Sequence, residues 1–169
     1  MKSRATRWLS CLAGLVLAGA AHAATVPVPG QQVALPQLAA AAGVSPSLMQ
    51  GKVVVIAWFA SWCPFCMHEA PQLQRLYAGN RERMVVVGVN VEKGDPGQVA
   101  KVKEWVARFG WTFPVVLDGT ALERVTGKPK GIPSLLVLGK SGVVHQVESG
   151  EMLDEDVEDI AAFARREVP

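Results

Sequence analysis

After Lys52 the chain runs V-V-V-I-A-W-F-A without a polar side chain, and W-C-P-F-C at residues 62–66 follows almost at once. An unbroken run of β-branched and aromatic residues marks a strand covered on both faces, because a strand with one wet face would alternate. The chain must therefore build a sheet with layers on both sides, and this strand must deliver Cys63 and Cys66 to its exit.

At 169 residues the chain is long enough for one domain with a substantial core. From Cys63 onward Cys66, Ala70, Leu73 and Tyr77 recur at spacings of three and four, which predicts a helix with those side chains on one stripe. Pro71 falls inside it, and Gly79 and Asn80 mark its end. R-M-V-V-V-G-V-N-V at 83–91 repeats the buried-strand pattern. D-P-G-Q then opens a second helix, with Asp95 as N-cap, Pro96 in the first turn and Gln98 behind it. Val99, Val102, Val106 and Phe109 form the apolar face of that helix, and Gly110 stops it. Residues 112–118 read as a shorter strand and 121–127 as a short helix.

Residues 134–139 and 143–148 flank a K-S-G turn and read as a hairpin, and a last amphipathic helix covers about 154–166. Its acids cluster at the N-terminal end, where the macrodipole favours them, and Val157, Ile160, Ala161 and Ala164 face inward. Crossover helices between the early strands and a hairpin at the end give an α/β fold, a mixed central sheet flanked by helices on both faces.

The first residues carry Lys2, Arg4 and Arg7, then an apolar run over 8–21, then Ala21 and Ala23 around His22. This is the pattern of a secretory signal over 1–23, cut after Ala23. The alternative is a retained anchor, but roughly 14 apolar residues fall short of the ~20 a bilayer needs. Cys11 lies inside the apolar run and leaves with it. Residues 24–50, uncharged and rich in Ala, Pro, Gln and Ser, form an N-terminal segment with a short helix near 35–42, leaving 51–169 as the main domain. Without the signal, 14 basic side chains stand against 15 acidic ones, so the apparent basicity belongs to the export signal. Nothing in that balance suggests a nucleic-acid or anionic-lipid partner.

An exported chain left with two cysteines has no disulfide framework. A bridge between residues three apart closes a tiny loop and contributes little chain entropy. Reversible redox work explains the pair better. At a helix N-terminus the partial positive charge and free N–H groups stabilise a thiolate, lowering a thiol pKa from ~8.5 into the range of about 3.5 to 7.5. That placement makes Cys63, its sulfur exposed, the attacking thiolate and Cys66, one turn in, the resolving thiol. Three other readings compete. A structural zinc site would need four ligands from Cys63, Cys66, His68 and His145; haem attachment needs His where Met67 stands; an inert staple needs no chemistry.

W-C-P-F-C after a buried strand, Pro71 beyond the second cysteine, and K-G-I-P-S-L-L-V-L-G-K-S-G at 130–142 together resemble the thioredoxin superfamily over nearly the whole mature chain. The resemblance implies a thioredoxin-like fold, a redox-active cysteine pair as the only redox group, and a cis Ile132–Pro133 bond facing it. Ile132, Pro133 and Ser134 then match the segment whose backbone pairs with an extended substrate peptide, with Trp62, Pro64 and Phe65 as contact surface flanking Cys63. C-P-F-C-M-H-E is similar to the periplasmic TlpA, ResA and CcmG (DsbE) group, which carries Glu three residues after the second cysteine, here Glu69. If buried, Glu69 handles the proton that Cys66 exchanges; otherwise it is a solvated helix carboxylate. Ala57 stands where cytosolic thioredoxins have a buried Asp, so Glu69 is the nearby acid. His68 is expected to be exposed, and Trp58, Trp105 and Trp111 to lie in the core.

The resemblance implies a periplasmic monomer that reduces disulfides of exported proteins, in cytochrome c maturation or oxidase copper-site assembly, with electrons from a membrane reductant of the DsbD or CcdA type. Two rivals remain. One is a disulfide-introducing oxidant or isomerase, the other a copper chaperone using both cysteines as soft ligands, with Met67 and His68 beside them.

Overall fold

The computed structural model describes residues 25–94 and 96–169. The signal over 1–23, its cleavage after Ala23, Cys11 and the Asp95 N-cap lie outside the described residues.

Among the described residues six helices and five strands follow one another in the order α1 (Leu35–Ala42), α2 (Pro46–Met49), β1 (Val53–Phe59), α3 (Pro64–Asn80), β2 (Met84–Asn90), α4 (Pro96–Arg108), β3 (Val115–Val116), α5 (Thr120–Thr126), β4 (Ser134–Leu138), β5 (Val144–Ser149) and α6 (Asp154–Glu167). The sheet order is β3-β2-β1-β4-β5. β1 and β2 run parallel, as do β2 and β3, because α3 and α4 carry the chain back across the sheet. β4 is antiparallel to both β1 and β5. The sheet is mixed, as the element order predicted.

Every side chain of β1 and β2 is buried, which is why neither segment alternates. Val53, Val55, Ala57 and Phe59 face one layer, packing with Ala70, Leu73 and Leu76 of α3, Val102 and Trp105 of α4, and Ile160 and Phe163 of α6. Val54, Ile56 and Trp58 point the other way, onto Leu38 and Ala39 of α1 and Leu122 of α5. Trp58, Trp105 and Trp111 are all core residues, as expected. The first layer contains an aromatic cluster in which Trp105 stacks on Phe59 at 4.7 Å and Trp111 meets Phe59 edge-on at 4.9 Å. Trp111 also donates its Nε1–H to the Ala70 carbonyl at 2.9 Å, tying this cluster to α3 one residue before Pro71.

The N-terminal segment lies on the second layer. Gln32 bridges Val143 beside the hairpin turn, Val33 donates to the Gly142 carbonyl at 2.9 Å, and Leu38 and Ala39 are fully buried. Gly142 sits at φ 86°, in the left-handed region that favours glycine.

Two expectations need correction. The strand read at 112–118 shrinks to Val115–Val116. Thr112 is held instead by Gln74, whose Oε1 accepts the Thr112 N–H at 3.0 Å, and Asp118 turns to accept the Thr120 N–H at 2.9 Å. Pro114 has no N–H for a ladder. On α4 the deepest residues are Val102 and Trp105, with Val99 left half-buried at the start of the helix.

Candidate redox site

Cys63 is the N-cap of α3, with extended backbone at φ −83° and ψ 114°, and Pro64 follows in the first turn. This is what W-C-P dictates locally. Proline fixes a helical φ and lacks an N–H, so it fits a first turn whose donors have no intrahelical acceptor. The Cys63 Sγ accepts the Cys66 N–H at 3.2 Å, and the two cysteines form a disulfide with Cα atoms 5.2 Å apart. The first-turn N–H that would steady a thiolate is therefore already aimed at the Cys63 sulfur.

The expected exposure of that sulfur is corrected. In the disulfide form Cys63 is only 3% exposed and Cys66 1%. The Cys63 Sγ lies against the first turn of α3, and the Ile132 carbonyl oxygen stands 3.9 Å from it. Trp62, at 65% exposure, and Phe65, at 59%, project to solvent on either side of the buried pair. Pro64 is exposed with them.

The Ile132–Pro133 bond is cis, and this segment immediately precedes β4, the neighbour of β1. Cys63 leaves the end of β1, so the sheet order alone sets the two loops side by side. Pro133 is buried and Ile132 partly so. The Pro133 carbonyl accepts the Gly150 N–H at 3.0 Å, and Ser134 Oγ donates to the Glu148 carbonyl at 2.8 Å, which anchors the segment to β5 and the loop beyond it.

Glu69 lies three residues beyond Cys66, on the same face of α3, and is 2% exposed. The solvated-carboxylate alternative is thus excluded. Burial pushes its carboxyl up to about 7 from an ordinary 4.5; the Met152 N–H, donated at 3.3 Å, pulls the other way, and the Glu151 carboxylate adds a further upward push. A carboxyl tuned there can hold or release a proton near neutral pH. His68 is exposed as expected and stands 3.6 Å from Glu151.

The structure thus brings together Cys63, Cys66, Glu69, Ile132 and Pro133, with Trp62, Pro64 and Phe65 at the rim. Sequence reasoning missed two supporting groups. One is the loop at 150–152, whose signal was the glycine of S-G-E-M, held at φ 110°. The other is Glu92, which follows β2 and accepts both the Ser61 N–H at 2.7 Å and the Ser61 hydroxyl at 3.1 Å, with Gln98 joined to it, fixing the residue before Trp62. Among the described residues no group of three or more His, Cys, Asp or Glu side chains is arranged to hold a metal. No helix among them is long and apolar enough to cross a membrane.

Residues 28–163 match the Redoxin family. The chain is 32% identical over 110 residues to thiol-disulfide oxidoreductase ResA of Geobacillus kaustophilus, a match covering 64% of this chain and 61% of that protein. It is 25% identical to thioredoxin-like protein YneN of Bacillus subtilis, covering 76% of each chain. Among solved structures it superposes on a thiol:disulfide interchange protein of the thioredoxin family from Chlorobium tepidum with a TM-score of 0.63 and 26% identity, over 85% of this chain and 98% of that one. The chain spans about three-fifths of the length of that ResA relative (61%). The fold is thioredoxin-like.

Proposed function

The chain belongs to the Redoxin family, and from that premise we propose that it is a thiol-disulfide oxidoreductase that reduces disulfides of exported proteins. One observation carries the reading: the Cys63 sulfur caps α3, accepts the Cys66 N–H at 3.2 Å, and faces the Ile132 carbonyl at 3.9 Å. The names of the ResA and interchange-protein relatives support it.

In the reduced protein the Cys63 thiolate attacks one sulfur of a target disulfide. A mixed disulfide forms and the other target sulfur leaves as a thiolate that takes a proton. The target backbone lies along Ile132 and Pro133 as an added extended strand, with Trp62, Pro64 and Phe65 as flanking contacts. Cys66 then gives its proton to the Glu69 carboxylate and attacks the Cys63 sulfur. The second target thiol departs, protonated from Glu69 or solvent. The target gains two electrons and two protons, and Cys63 and Cys66 become the disulfide, with no external cofactor. A Glu69 carboxyl at about 7 suits both halves of that transfer.

The cycle closes when a membrane reductant of the DsbD or CcdA type reduces the pair again. In this reading the working form is a periplasmic monomer, its location supported by the signal-like pattern over 1–23, and it serves apocytochrome c or the copper-site cysteines of an oxidase. The deciding experiment is the equilibrium potential of the Cys63–Cys66 pair against a dithiothreitol or glutathione series. A value near or below that of thioredoxin, about −270 mV, is expected. A value near that of DsbA, about −120 mV, would replace the reductant with a disulfide-introducing oxidant. Tight stoichiometric copper binding by the reduced form would make it a chaperone.

A further inference from the structure

The Trp62 side of the nucleophile carries groups that the redox steps leave unused. Lys101, Glu104 and Arg108 recur at spacings of three and four on α4, so they share one face of that helix. With Ser61, Trp62 and Trp105 they line a groove of about 400 Å³ that reaches Trp62, the residue before Cys63. Lys101 and Arg108 are exposed, and neither has an ion-pair partner among the described residues. The Arg108 guanidinium lies 5.5 Å from the centre of the Phe109 ring. Glu104 is the single acid of the wall, so cations are in excess.

Two further features make this wall a built one. Trp105 is 6% exposed, and its Nε1–H has no acceptor among the described residues, an unmet donor on a residue that borders the groove. Ser61, by contrast, has both its N–H and its hydroxyl bound to Glu92, which fixes the floor beneath Trp62 and leaves the Glu92 carboxylate outside the groove lining. The sheet places this wall opposite the Ile132–Pro133 segment. α4 follows β2 and the cis proline precedes β4, and β2 and β4 flank β1 on either side.

The geometry points to this groove as a specificity subsite for an acidic side chain of the target polypeptide, an Asp or Glu about two residues from its reactive cysteine. The inference rests on the oxidoreductase reading above and names the substrate class for it. A strand advances roughly 3.3 Å per residue, so a side chain two positions from the cysteine over Cys63 sits roughly 6.6 Å along the peptide, and this is the position we assign to the Lys101–Arg108 wall beyond Trp62. A carboxylate there is attracted by both cations, and a lysine at the same position is repelled by them, so the groove both selects and excludes.

The test uses the reduced protein and three otherwise identical disulfide-bonded peptides carrying Asp, Asn or Lys at that position, with the reduction rate read at low and at physiological salt. The Asp peptide should be reduced roughly threefold to tenfold faster than the Lys peptide, with Asn between and the spread narrowing as salt rises. In the double variant Lys101→Glu, Arg108→Glu the order of the three peptides should invert. The single variants Lys101→Gln and Arg108→Gln, which keep side-chain bulk, should each narrow the spread, so the result does not depend on the double variant folding. Equal rates for the three peptides, or an order unmoved by charge reversal, would overturn the subsite while leaving the reductase intact. No reduction of any peptide would remove the oxidoreductase reading and the subsite with it.

Discussion

Met152 donates its backbone N–H to the Glu69 carboxylate at 3.3 Å, across 83 positions of sequence. Two residues earlier in the same loop, Gly150 donates to the Pro133 carbonyl at 3.0 Å. One short stretch between β5 and α6 therefore holds both the buried acid beside the cysteines and the backbone on which a target peptide is proposed to lie. The acid's proton affinity and the peptide platform share a mount.

Replacing Glu69 by Gln tests its part in the chemistry. The wild-type carboxyl, pushed up to about 7 by burial, ionises near neutrality, so the step in which Cys66 resolves the mixed disulfide should accelerate through that pH. Glu69→Gln should erase the inflection and slow resolution on the order of 10²-fold, the lower end of general-base contributions. Single-turnover reduction of a peptide disulfide across pH 5 to 9 reads both. An unchanged profile would reduce Glu69 to a buried structural acid.

The same group sets a pH dependence of stability, and its sign is opposite to that of a salt-bridged carboxylate. Folding raises the Glu69 pKa from 4.5 to about 7, so between those values the folded chain binds more protons than the unfolded one. Stability should be greatest below about 4.5 as far as this residue is concerned, fall as pH rises to about 7, and level off above. The expected loss is about 3 kcal/mol, and Glu69→Gln should flatten that segment of the curve. Urea unfolding at a series of pH values, wild type against variant, measures the difference. Parallel curves would contradict it.

Much of this arrangement was legible in the chain and some was not, for a physical reason. The strands at β1 and β2, the cap at Cys63, the run of α3 with Pro71 inside it, and the hairpin all depend on local pattern, and all appear where pattern placed them. The acid after the second cysteine was legible as a candidate, but its burial was not. Glu69 is sealed by residues from the loop after β5, and only the folded sheet brings that loop to α3. The short β3 was overread because T-F-P-V-V-L-D has strand composition, whereas Pro114, Gln74 and the Asp118 turn divert its ends. Lys101 and Arg108 drew no reading from local pattern, because only the folded chain sets α4 against Trp62.

The division of labour between the cysteines should be visible by trapping. In Cys66→Ser the Cys63 thiolate still attacks, but nothing resolves the adduct, so a mixed disulfide with a target peptide should accumulate to near stoichiometry and be released by dithiothreitol. In Cys63→Ser little or no such adduct should form, because Cys66 sits inside α3, whereas Cys63 is the N-cap whose sulfur receives the first-turn N–H. Intact-mass measurement after mixing with excess disulfide peptide distinguishes the two. Equal trapping by both variants would show that either sulfur can act as the nucleophile and would remove the roles assigned to Cys63 and Cys66.

Gly150→Ala tests whether the loop itself tunes the acid. Gly150 sits at φ 110°, where an L side chain is strained, although open space surrounds the position a Cβ would take. The substitution should therefore cost about 1 kcal/mol or more through backbone strain alone. The loop would relieve that strain by moving, and the Met152 N–H would move with it. Because that N–H pulls the Glu69 carboxyl downward against burial, weakening it should raise the inflection in the pH profile above about 7. Glu69→Gln abolishes the inflection, whereas Gly150→Ala displaces it upward. A Gly150→Ala protein that is less stable but keeps the wild-type inflection would show that the glycine serves the fold and that Glu69 is tuned by its pocket alone.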